Sequence, residues 1–396
     1  MRAPVSPAIL ATQTPPVMQA RRWAQALKTP ADKPLIALSQ AAPMEPPPEG
    51  LRQAMADALL SAPSTHIYGP ALGAEPLRQT VADHWARDYG GDVSGENVAI
   101  TAGCNLAFAA TINTIAGPGD EVIVPVPWYF NHKMWLDMAS VNTVPLATGT
   151  RLLPDPERAQ KLITNKTKAI VLVSPNNPAG VEYPAPLIEA FFDLAQRNGL
   201  ALIIDETYRD FGSRPPGDTA WPHQLFERAD CFETFIQLYS FSKAYRMTGH
   251  RLGAIVASPE RLAQIEKFLD TVQICAPQVA QVGALWGMEN LADWLAAERL
   301  EVRKRHQRVL DGFSKLPGWR VAASGAYFAY VEHAFDISAE DAAKELVTKA
   351  GLLTLPGSMF APTQDASAQR YLRFAFANAS LRTLDEVFDR LSRLGL

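Results

Sequence analysis

The stretch Phe235-Ile236-Gln237-Leu238-Tyr239-Ser240-Phe241-Ser242-Lys243 is the most informative part of the chain. Its first five residues are mostly apolar and predict a buried strand, so we expect the amine of Lys243, just beyond the strand end, to be buried as well. Burial disfavours the ammonium form, so the pKa of such a lysine falls and its free amine becomes nucleophilic. Arg251 follows eight residues later, where a guanidinium can clamp a phosphate.

A nucleophilic amine and a phosphate-binding arginine together suit one cofactor. The amine can hold an aldehyde as a Schiff base while the arginine holds a phosphate, and pyridoxal phosphate carries both groups. Lysine residues also occur at strand ends for purely structural reasons. The stretch 235–243 alone therefore leaves a structural interpretation of Lys243 open. The hypothesis therefore requires that the other groups of a pyridoxal phosphate site occur along the chain.

The bulk composition limits the class of protein. With 396 residues, 47% of them hydrophobic, the chain is long enough for two domains. Its net charge of −4, its pI of about 6.0 and the lack of a Lys/Arg-rich block argue against nucleic acid as a partner. The cysteines at 104, 231 and 275 are too few and too irregularly spaced for a disulfide framework or a metal site, and they indicate reduced thiols.

The N-terminal residues 1–31 carry basic but no acidic side chains, as a transit peptide does. Prolines at 4, 7, 15, 16 and 30 interrupt any long amphipathic helix, and no apolar segment typical of a secretion signal is present. We therefore interpret this stretch as part of the mature protein. No apolar run approaches the length of a membrane span, and we expect a cytoplasmic protein.

Apolar strands alternate with helices from residue 97 onward. The pattern predicts strands at 98–101, 121–126, 168–174, 200–204, 235–239 and 252–256, with helices at 105–115 and 184–198. Uniformly apolar strands separated by helices favour a mostly parallel sheet covered by helices on both faces. A smaller α+β region follows, with strands at 319–323, 327–332 and 371–377 and helices at 339–350 and 384–394.

These patterns predict an α/β fold of two domains. The large, cofactor-binding domain is expected at 51–295 and the small α+β domain at 296–396, with the hinge in a long helix near 290–315. Residues 1–50 are expected to form an N-terminal segment that packs on the small domain or on a partner subunit.

Polar residues follow several predicted strands, at the edge where parallel sheets bind ligands. Asp205 follows the strand 200–204, where a carboxylate can pair with a pyridinium nitrogen, although many such residues only cap a turn. Three residues later, Tyr208 can reach the ring's phenolic oxygen. Asn177, in Ser174-Pro175-Asn176-Asn177-Pro178-Ala179-Gly180, can donate to the same oxygen, although Asn-Pro turns also form without any function.

Two further segments have the chemistry of a cofactor site. Ala102-Gly103-Cys104-Asn105 lies between a predicted strand and helix, where free N–H groups bind phosphate, although many strand-to-helix turns carry a glycine. Pro127-Trp128-Tyr129-Phe130 ends the next strand, and an aromatic face there can stack on a flat heterocycle or simply fill the core. The choice between Trp128 and Tyr129 stays open.

In combination these motifs resemble the class I/II aminotransferases, which are fold-type I pyridoxal-phosphate enzymes of the aspartate aminotransferase superfamily. The resemblance covers roughly residues 33–396. It implies that Lys243 is the Schiff-base lysine and proton shuttle, that Asp205 is the pyridinium partner, and that Asn177 and Tyr208 are the phenolate partners. The other implied cofactor-binding residues, which surround the phosphate or stack on the ring, are Gly103, Cys104, Asn105, Tyr129, Ser240, Ser242 and Arg251.

The resemblance also implies substrate and subunit contacts. Arg373 matches the arginine that binds the substrate α-carboxylate, with Asn177 and Phe360 as further substrate contacts. Tyr68 matches a tyrosine that reaches the neighbouring subunit's phosphate site, so a homodimer with shared active sites is implied. Ala41 departs from the glycine that is usual in the N-terminal substrate loop, and Ala361 also replaces a common glycine, which leaves the choice of substrate open.

The implied reaction is a ping-pong transfer of an amino group from an L-amino acid to a 2-oxo acid. A β-eliminating cysteine–sulfur lyase on the same fold is the alternative, which the motifs separate poorly. A regulatory DNA-binding protein is disfavoured because the residues before 33 are too few and too proline-rich for a helix-turn-helix. A nicotinamide enzyme is disfavoured because no convincing Gly-x-Gly-x-x-Gly lies between a strand and a helix. No second arginine that would bind the side-chain carboxylate of a dicarboxylic donor can be placed in the sequence. Aromatic residues near the predicted pocket favour neutral or aromatic donors.

Overall fold

The computed structural model describes residues 3–149, 151–213 and 222–395. Its helices are α1 (Pro7–Ala11), α2 (Pro16–Ala26), α3 (Glu49–Ser61), α4 (Glu75–Tyr89), α5 (Cys104–Asn113), α6 (Phe130–Met138), α7 (Pro156–Leu162), α8 (Ala185–Arg197), α9 (Cys231–Thr234), α10 (Phe241–Ala244), α11 (Pro259–Val272), α12 (Gln278–Asn290), α13 (Ala292–Phe313), α14 (Ala339–Glu345) and α15 (Leu381–Ser392). Its strands are β1 (Ile36–Ala37), β2 (Val98–Thr101), β3 (Glu121–Val126), β4 (Asn142–Ala147), β5 (Thr167–Val173), β6 (Ala201–Asp205), β7 (Phe235–Ser240), β8 (Gly253–Val256), β9 (Arg320–Gly325), β10 (Phe328–Glu332), β11 (Leu352–Leu353), β12 (Leu355–Pro356) and β13 (Tyr371–Ala375).

The large sheet has the strand order β2-β8-β7-β6-β5-β3-β4. The pairs from β7 through β6, β5 and β3 to β4 are all parallel, whereas β8 runs antiparallel to both of its neighbours. The predicted mostly parallel sheet is therefore confirmed. Its topology brings the C-terminal ends of β5, β6 and β7 to one edge, so the polar residues that follow these strands meet there.

Both faces of this sheet are buried, which explains the uniformly apolar strands. On β6, Leu202 and Ile204 belong to a core that α4 and α8 complete, whereas Ile203 belongs to the core under α5 and α11. Successive strand residues point to opposite faces, so a strand covered on both sides needs an apolar residue at every position. The helical layers on the two faces thus hold the strand ends rigidly.

A second, four-stranded sheet, in the order β12-β13-β10-β9, lies in the C-terminal part. Its core contains Phe313 at the end of α13, Trp319, and Phe374 on β13, packed with residues of α15. The strand β1 pairs in parallel with β11, so the N-terminal segment is tied to this region. The domain limits 1–50, 51–295 and 296–396 stay a prediction.

The structure refines several predicted elements. Helices α3 and α4 occupy 49–61 and 75–89, for which the sequence patterns predicted no element. The helix predicted at 339–350 is α-helical only to Glu345 and continues as a short π-helix at Leu346–Ala350. In the parts of the chain that are described, no helix is both long and apolar enough to cross a membrane.

A close backbone contact joins the Ser174–Gly180 turn to the small sheet. A Cβ atom on Gly325, the last residue of β9, would lie 2.3 Å from the carbonyl oxygen of Gly180. Side-chain atoms cannot occupy that space unless the two segments move apart. Because the same turn carries Asn177, the contact also fixes a predicted site residue.

We expect Gly325→Ala to lower the free energy of unfolding by about 1–3 kcal/mol, the range for overpacking in a tight interior. Urea denaturation followed by circular dichroism measures this change. Gly117→Ala is the matched control, since the nearest atom to its added Cβ is Asp120 Oδ2 at 4.0 Å. Equal stability of the two variants would contradict the steric interpretation.

Candidate active site

The strand ends open onto a cavity of about 230 Å³. It is lined by Gln40, Cys104, Asn105, Tyr129, Asn131, Val173, Asn177, Asp205, Thr207, Tyr208, Ser240, Ser242, Lys243 and Arg251. Most of the cofactor-binding residues predicted from the sequence are therefore together in one place. Gly103, Tyr68, Ala41, Phe360 and Arg373 do not line this cavity, and their positions are described below.

Lys243 lies in the short helix α10, directly after β7. Its Nζ donates a hydrogen bond to the carbonyl oxygen of Ala41 at 2.6 Å and lies 5.9 Å from the centre of the Tyr208 ring. Burial, followed by the nearby charges of Arg251 and Arg373, lowers the pKa of Lys243 to about 8. Near neutral pH, the fraction of free amine is therefore much larger than for an ordinary lysine, as nucleophilic catalysis requires.

Asp205 is the last residue of β6 and is buried. Its Oδ2 lies 3.1 Å from His132 Nε2, and its Oδ1 accepts a hydrogen bond from the backbone N–H of Thr207 at 2.9 Å. Burial alone would raise the pKa of Asp205, but the contacts with His132 and Thr207 outweigh burial and hold it below its ordinary value. The carboxylate therefore stays ionised and can hold a protonated ring nitrogen.

His132 is a site residue that the sequence analysis missed. It lies in α6, one helical turn after Tyr129, and its ring stacks on Phe108 with centroids 3.9 Å apart. The contact with Phe108 and the contact with Asp205 fix the orientation of the imidazole. No motif marked this histidine, because its partner Asp205 lies 73 positions later in the sequence.

An anion-binding corner lies at the N-terminus of α5. Gly103 precedes this helix with φ +93°, and a Cβ there would lie 2.3 Å from an Nη atom of Arg251. The glycine therefore leaves the space in which the guanidinium approaches the first helical N–H groups. Ser240 and Ser242 line the same cavity, and the Ser240 Oγ accepts from the Ser242 N–H at 3.3 Å. A phosphate suits this combination of cation, hydroxyls and helix N-terminus.

The structure brings Tyr129, rather than Trp128, to the cavity. Asn131 Nδ2 donates to the Tyr129 hydroxyl at 2.8 Å, which orients the ring. Trp128 is buried outside the cavity lining, and its backbone N–H donates to the Phe360 carbonyl at 2.9 Å. Tyr129 is therefore the aromatic residue that a flat ligand would meet.

Arg373 lies on β13 and is only 2% exposed. It donates one hydrogen bond to Asn177 Oδ1 at 2.9 Å and another to the Ser39 carbonyl, while its Nε has no partner among the described residues. The Phe360 ring lies 5.0 Å from the guanidinium carbon, so Phe360 forms a wall beside it. Burial lowers the pKa of Arg373 to about 10. A buried cation without a carboxylate partner in the described chain suits an anionic ligand.

Ala41 and Tyr68 do not line the cavity. The carbonyl of Ala41 contacts Lys243, but its methyl group belongs to the apolar cluster that contains Tyr208 and Tyr327. The side chain of this loop that lines the cavity is Gln40. Tyr68 is 76% exposed on the surface of the chain.

Comparison with known proteins identifies the family. The sequence pattern described as aminotransferase class I and II matches residues 33–391. This chain belongs to that family. It is similar to the aspartate/prephenate aminotransferase of Thermus thermophilus, with 30% identity over 90% of this chain and 91% of the relative. It is also similar to the arginine–pyruvate transaminase of Pseudomonas aeruginosa, with 31% identity over 83% of each protein.

Solved structures agree with the fold of this aminotransferase. A single mutant of Thermus thermophilus aspartate aminotransferase superposes with a TM-score of 0.88 at 27% identity, over 99% of this chain and 100% of that one. The N-succinyldiaminopimelate aminotransferase of Mycobacterium tuberculosis gives the same TM-score at 26% identity, over 98% of this chain and 99% of that one. The predicted family, fold class and aminotransferase activity are confirmed. These four relatives are all aminotransferases by name, and none supports the lyase alternative.

In the cofactor-free aminotransferase, the rate of acylation of Lys243 should increase with pH and reach half of its limiting value near pH 8. For a lysine with the ordinary pKa of 10.5, this midpoint would lie near pH 10.5. The cause is that burial and the neighbouring guanidinium groups destabilise the ammonium form. Quantitative mass spectrometry of the peptide that contains Lys243 measures the rate. Arg373→Gln removes one neighbouring cation and should move the midpoint upward. A midpoint at the ordinary lysine value in the wild-type chain would refute this prediction.

Proposed function

We propose that the cavity binds pyridoxal phosphate and that Lys243 is the catalytic lysine of amino transfer between an L-amino acid and a 2-oxo acid. The main support is the combination in one cavity of an amine with a lowered pKa, an ionised buried carboxylate and an anion-binding corner. The class I and II aminotransferases use this cofactor, and the donor groups of the cavity suit its phosphate, ring nitrogen and phenolic oxygen.

Several residues at the cavity would hold the cofactor. Arg251, Ser240, Ser242 and the N–H groups of residues 103–105 would bind its phosphate, and Tyr129 would pack against its ring. Asp205 keeps the ring nitrogen protonated while His132 holds that carboxylate in place. Asn177 and Tyr208 donate to the phenolic oxygen. When bound, pyridoxal phosphate supplies an aldehyde for the amino group and a ring that accepts electron density from the substrate Cα.

Lys243 moves the proton at the substrate Cα. Its lowered pKa provides a neutral amine, which can remove a proton and later return it. Arg373 binds the α-carboxylate of the substrate, and Asn177 orients Arg373 through their hydrogen bond. The amino acid and the 2-oxo acid each carry that carboxylate, so one site receives both in turn and the kinetics are ping-pong.

A homodimer with shared active sites is part of this proposal. Tyr68, Ile67 and Leu60 are large side chains that are 76%, 67% and 88% exposed and lie close together in the sequence. Where such side chains form a contiguous patch, they are typical of a protein interface. In a two-fold dimer, Tyr68 then contacts the phosphate bound by the partner subunit. A cytoplasmic location also remains part of the proposal, and the free cysteines suit a reducing compartment.

The reaction is tested by visible absorption of the protein loaded with pyridoxal phosphate, in the presence of single amino acids and no oxo acid. We expect one class of donor to bleach the cofactor band with release of one equivalent of 2-oxo acid, and a second oxo acid to restore it. Lys243→Ala should lose the lysine-bound band and turnover. Persistence of the band while ammonia and pyruvate accumulate would instead favour the lyase.

The shared site is tested by mixing subunits. If Tyr68 serves the partner's site, a hybrid dimer of Lys243→Ala and Tyr68→Ala contains one site with both changes and one intact site. The mixed chains are refolded and the hybrid dimer is isolated. This hybrid should then show wild-type turnover at its one intact site. Activity no greater than the sum of the two parent variants would show that Tyr68 acts within its own subunit or not at all.

A further inference from the structure

Two buried charges flank Tyr208 on the side of its turn that faces away from the catalytic cavity. Asp205, Thr207 and Tyr208 line that cavity, whereas Glu206 and Arg209 are buried without lining it. The residues of this turn therefore divide between the cavity and the core under helix α4. The roles given to the cavity residues above leave Glu206 and Arg209 without a function.

Glu206 is held by three side chains from different parts of the chain. Its Oε2 accepts a hydrogen bond from the Tyr89 hydroxyl at 2.8 Å and another from Gln237 Nε2, and it lies 3.5 Å from His223 Nε2. Burial alone would raise the pKa of Glu206, but the contacts with His223 and Gln237 outweigh burial and hold it below its ordinary value. The carboxylate is therefore ionised, and α4 and β7 fix its position.

Arg209 is enclosed by aromatic rings and carboxylates. Its guanidinium carbon lies 4.1 Å from the centre of the Trp85 ring and 4.7 Å from that of the Tyr89 ring. One Nη atom lies 2.5 Å from Asp88 Oδ2, and Nε lies 3.8 Å from Asp210 Oδ1. A buried guanidinium that stacks on two rings and pairs with two carboxylates has little freedom to move.

The two side chains anchor one short segment of backbone. The Arg209 N–H donates to the Glu206 carbonyl at 3.0 Å, and the Glu206 N–H donates to the Leu238 carbonyl of β7 at 2.9 Å. Tyr89 contacts both anchoring side chains, so a single residue of α4 couples them. Because Tyr208 lies between the two anchors in the sequence, the direction in which its side chain enters the cavity depends on them.

We propose that Glu206 and Arg209 are positioning residues, which hold Tyr208 where its hydroxyl can donate to the phenolic oxygen of the cofactor. This inference rests on the proposed function. A hydroxyl at the end of a long side chain moves further than the backbone that carries it, so a small shift of the turn breaks the hydrogen bond. Neither anchor lines the cavity, and their effect on the cofactor passes through Tyr208.

The test measures the pH midpoint at which the lysine-bound cofactor loses its proton and changes colour, in the fully loaded enzyme. A donor to the phenolic oxygen stabilises the deprotonated form, so misplacing Tyr208 raises this midpoint. We expect Arg209→Ala and Glu206→Gln each to raise it by about one pH unit, as for one lost hydrogen bond to a charged oxygen. Arg209→Lys should raise it less, because a cation remains beside Asp88 and Asp210.

A double-mutant cycle identifies the residue through which the anchors act. In a Tyr208→Phe background the hydroxyl is already absent, so neither Arg209→Ala nor Glu206→Gln should raise the midpoint further. An equal increase in the wild-type and Tyr208→Phe backgrounds would overturn the inference. If Arg209→Ala does not fold, Glu206→Gln and Arg209→Lys provide the same comparison.

Arg390→Ala is the matched control. Arg390 is also a buried arginine that pairs with a carboxylate, that of Glu386, but it lies in α15. Its removal should lower the free energy of unfolding, measured by urea denaturation, and leave the midpoint unchanged. The inference is wrong if folded variants of Glu206 and Arg209 behave as this control does. A wild-type protein that shows no cofactor band after loading would instead overturn the proposed function.

Discussion

The burial of Lys243 close to two guanidinium groups is the constraint on which the rest of the site depends. The charges of Arg251 and Arg373 repel the ammonium form of Lys243, and this repulsion adds to the burial that already disfavours charge on the lysine. The fold tolerates the arrangement because each group has hydrogen-bond acceptors nearby, and the proposed anionic ligands would stabilise it further. Burial and the two neighbouring charges together keep the lysine amine available, so the electrostatic cost of this arrangement is also the source of its reactivity.

The sheet determines where this charge is concentrated. Strands β5, β6 and β7 end at one edge, and the helices on both faces leave them little freedom to move. Asp205 therefore lines the same cavity as Arg251, with its carboxylate held by His132 and Thr207. A negative and a positive group in one cavity would orient the proposed ligand, which carries both a basic nitrogen and a phosphate.

The sequence was sufficient to predict those parts of the fold that produce a local pattern of residues. Uniformly apolar strands, glycine turns and strand-end polar residues are local patterns, so the parallel sheet and the residues from Gly103 to Arg251 could be recognised. His132 and Gln40 could not, because their relevance depends on partners far away in sequence. Helices α3 and α4 were not predicted from the sequence either.

The loop 38–42 also directs two of its carbonyl groups to cations of the candidate site. Ser39 accepts from Arg373, and Ala41 accepts from Lys243. An aldehyde that reacts with Lys243 has to compete with the Ala41 carbonyl for this amine, whereas the unpaired Nε of Arg373 is available to a carboxylate without such competition. The loop therefore acts as an internal competitor at the lysine. A substitution that stiffens the loop can slow the reaction of Lys243 with an aldehyde although the changed residue contacts neither group.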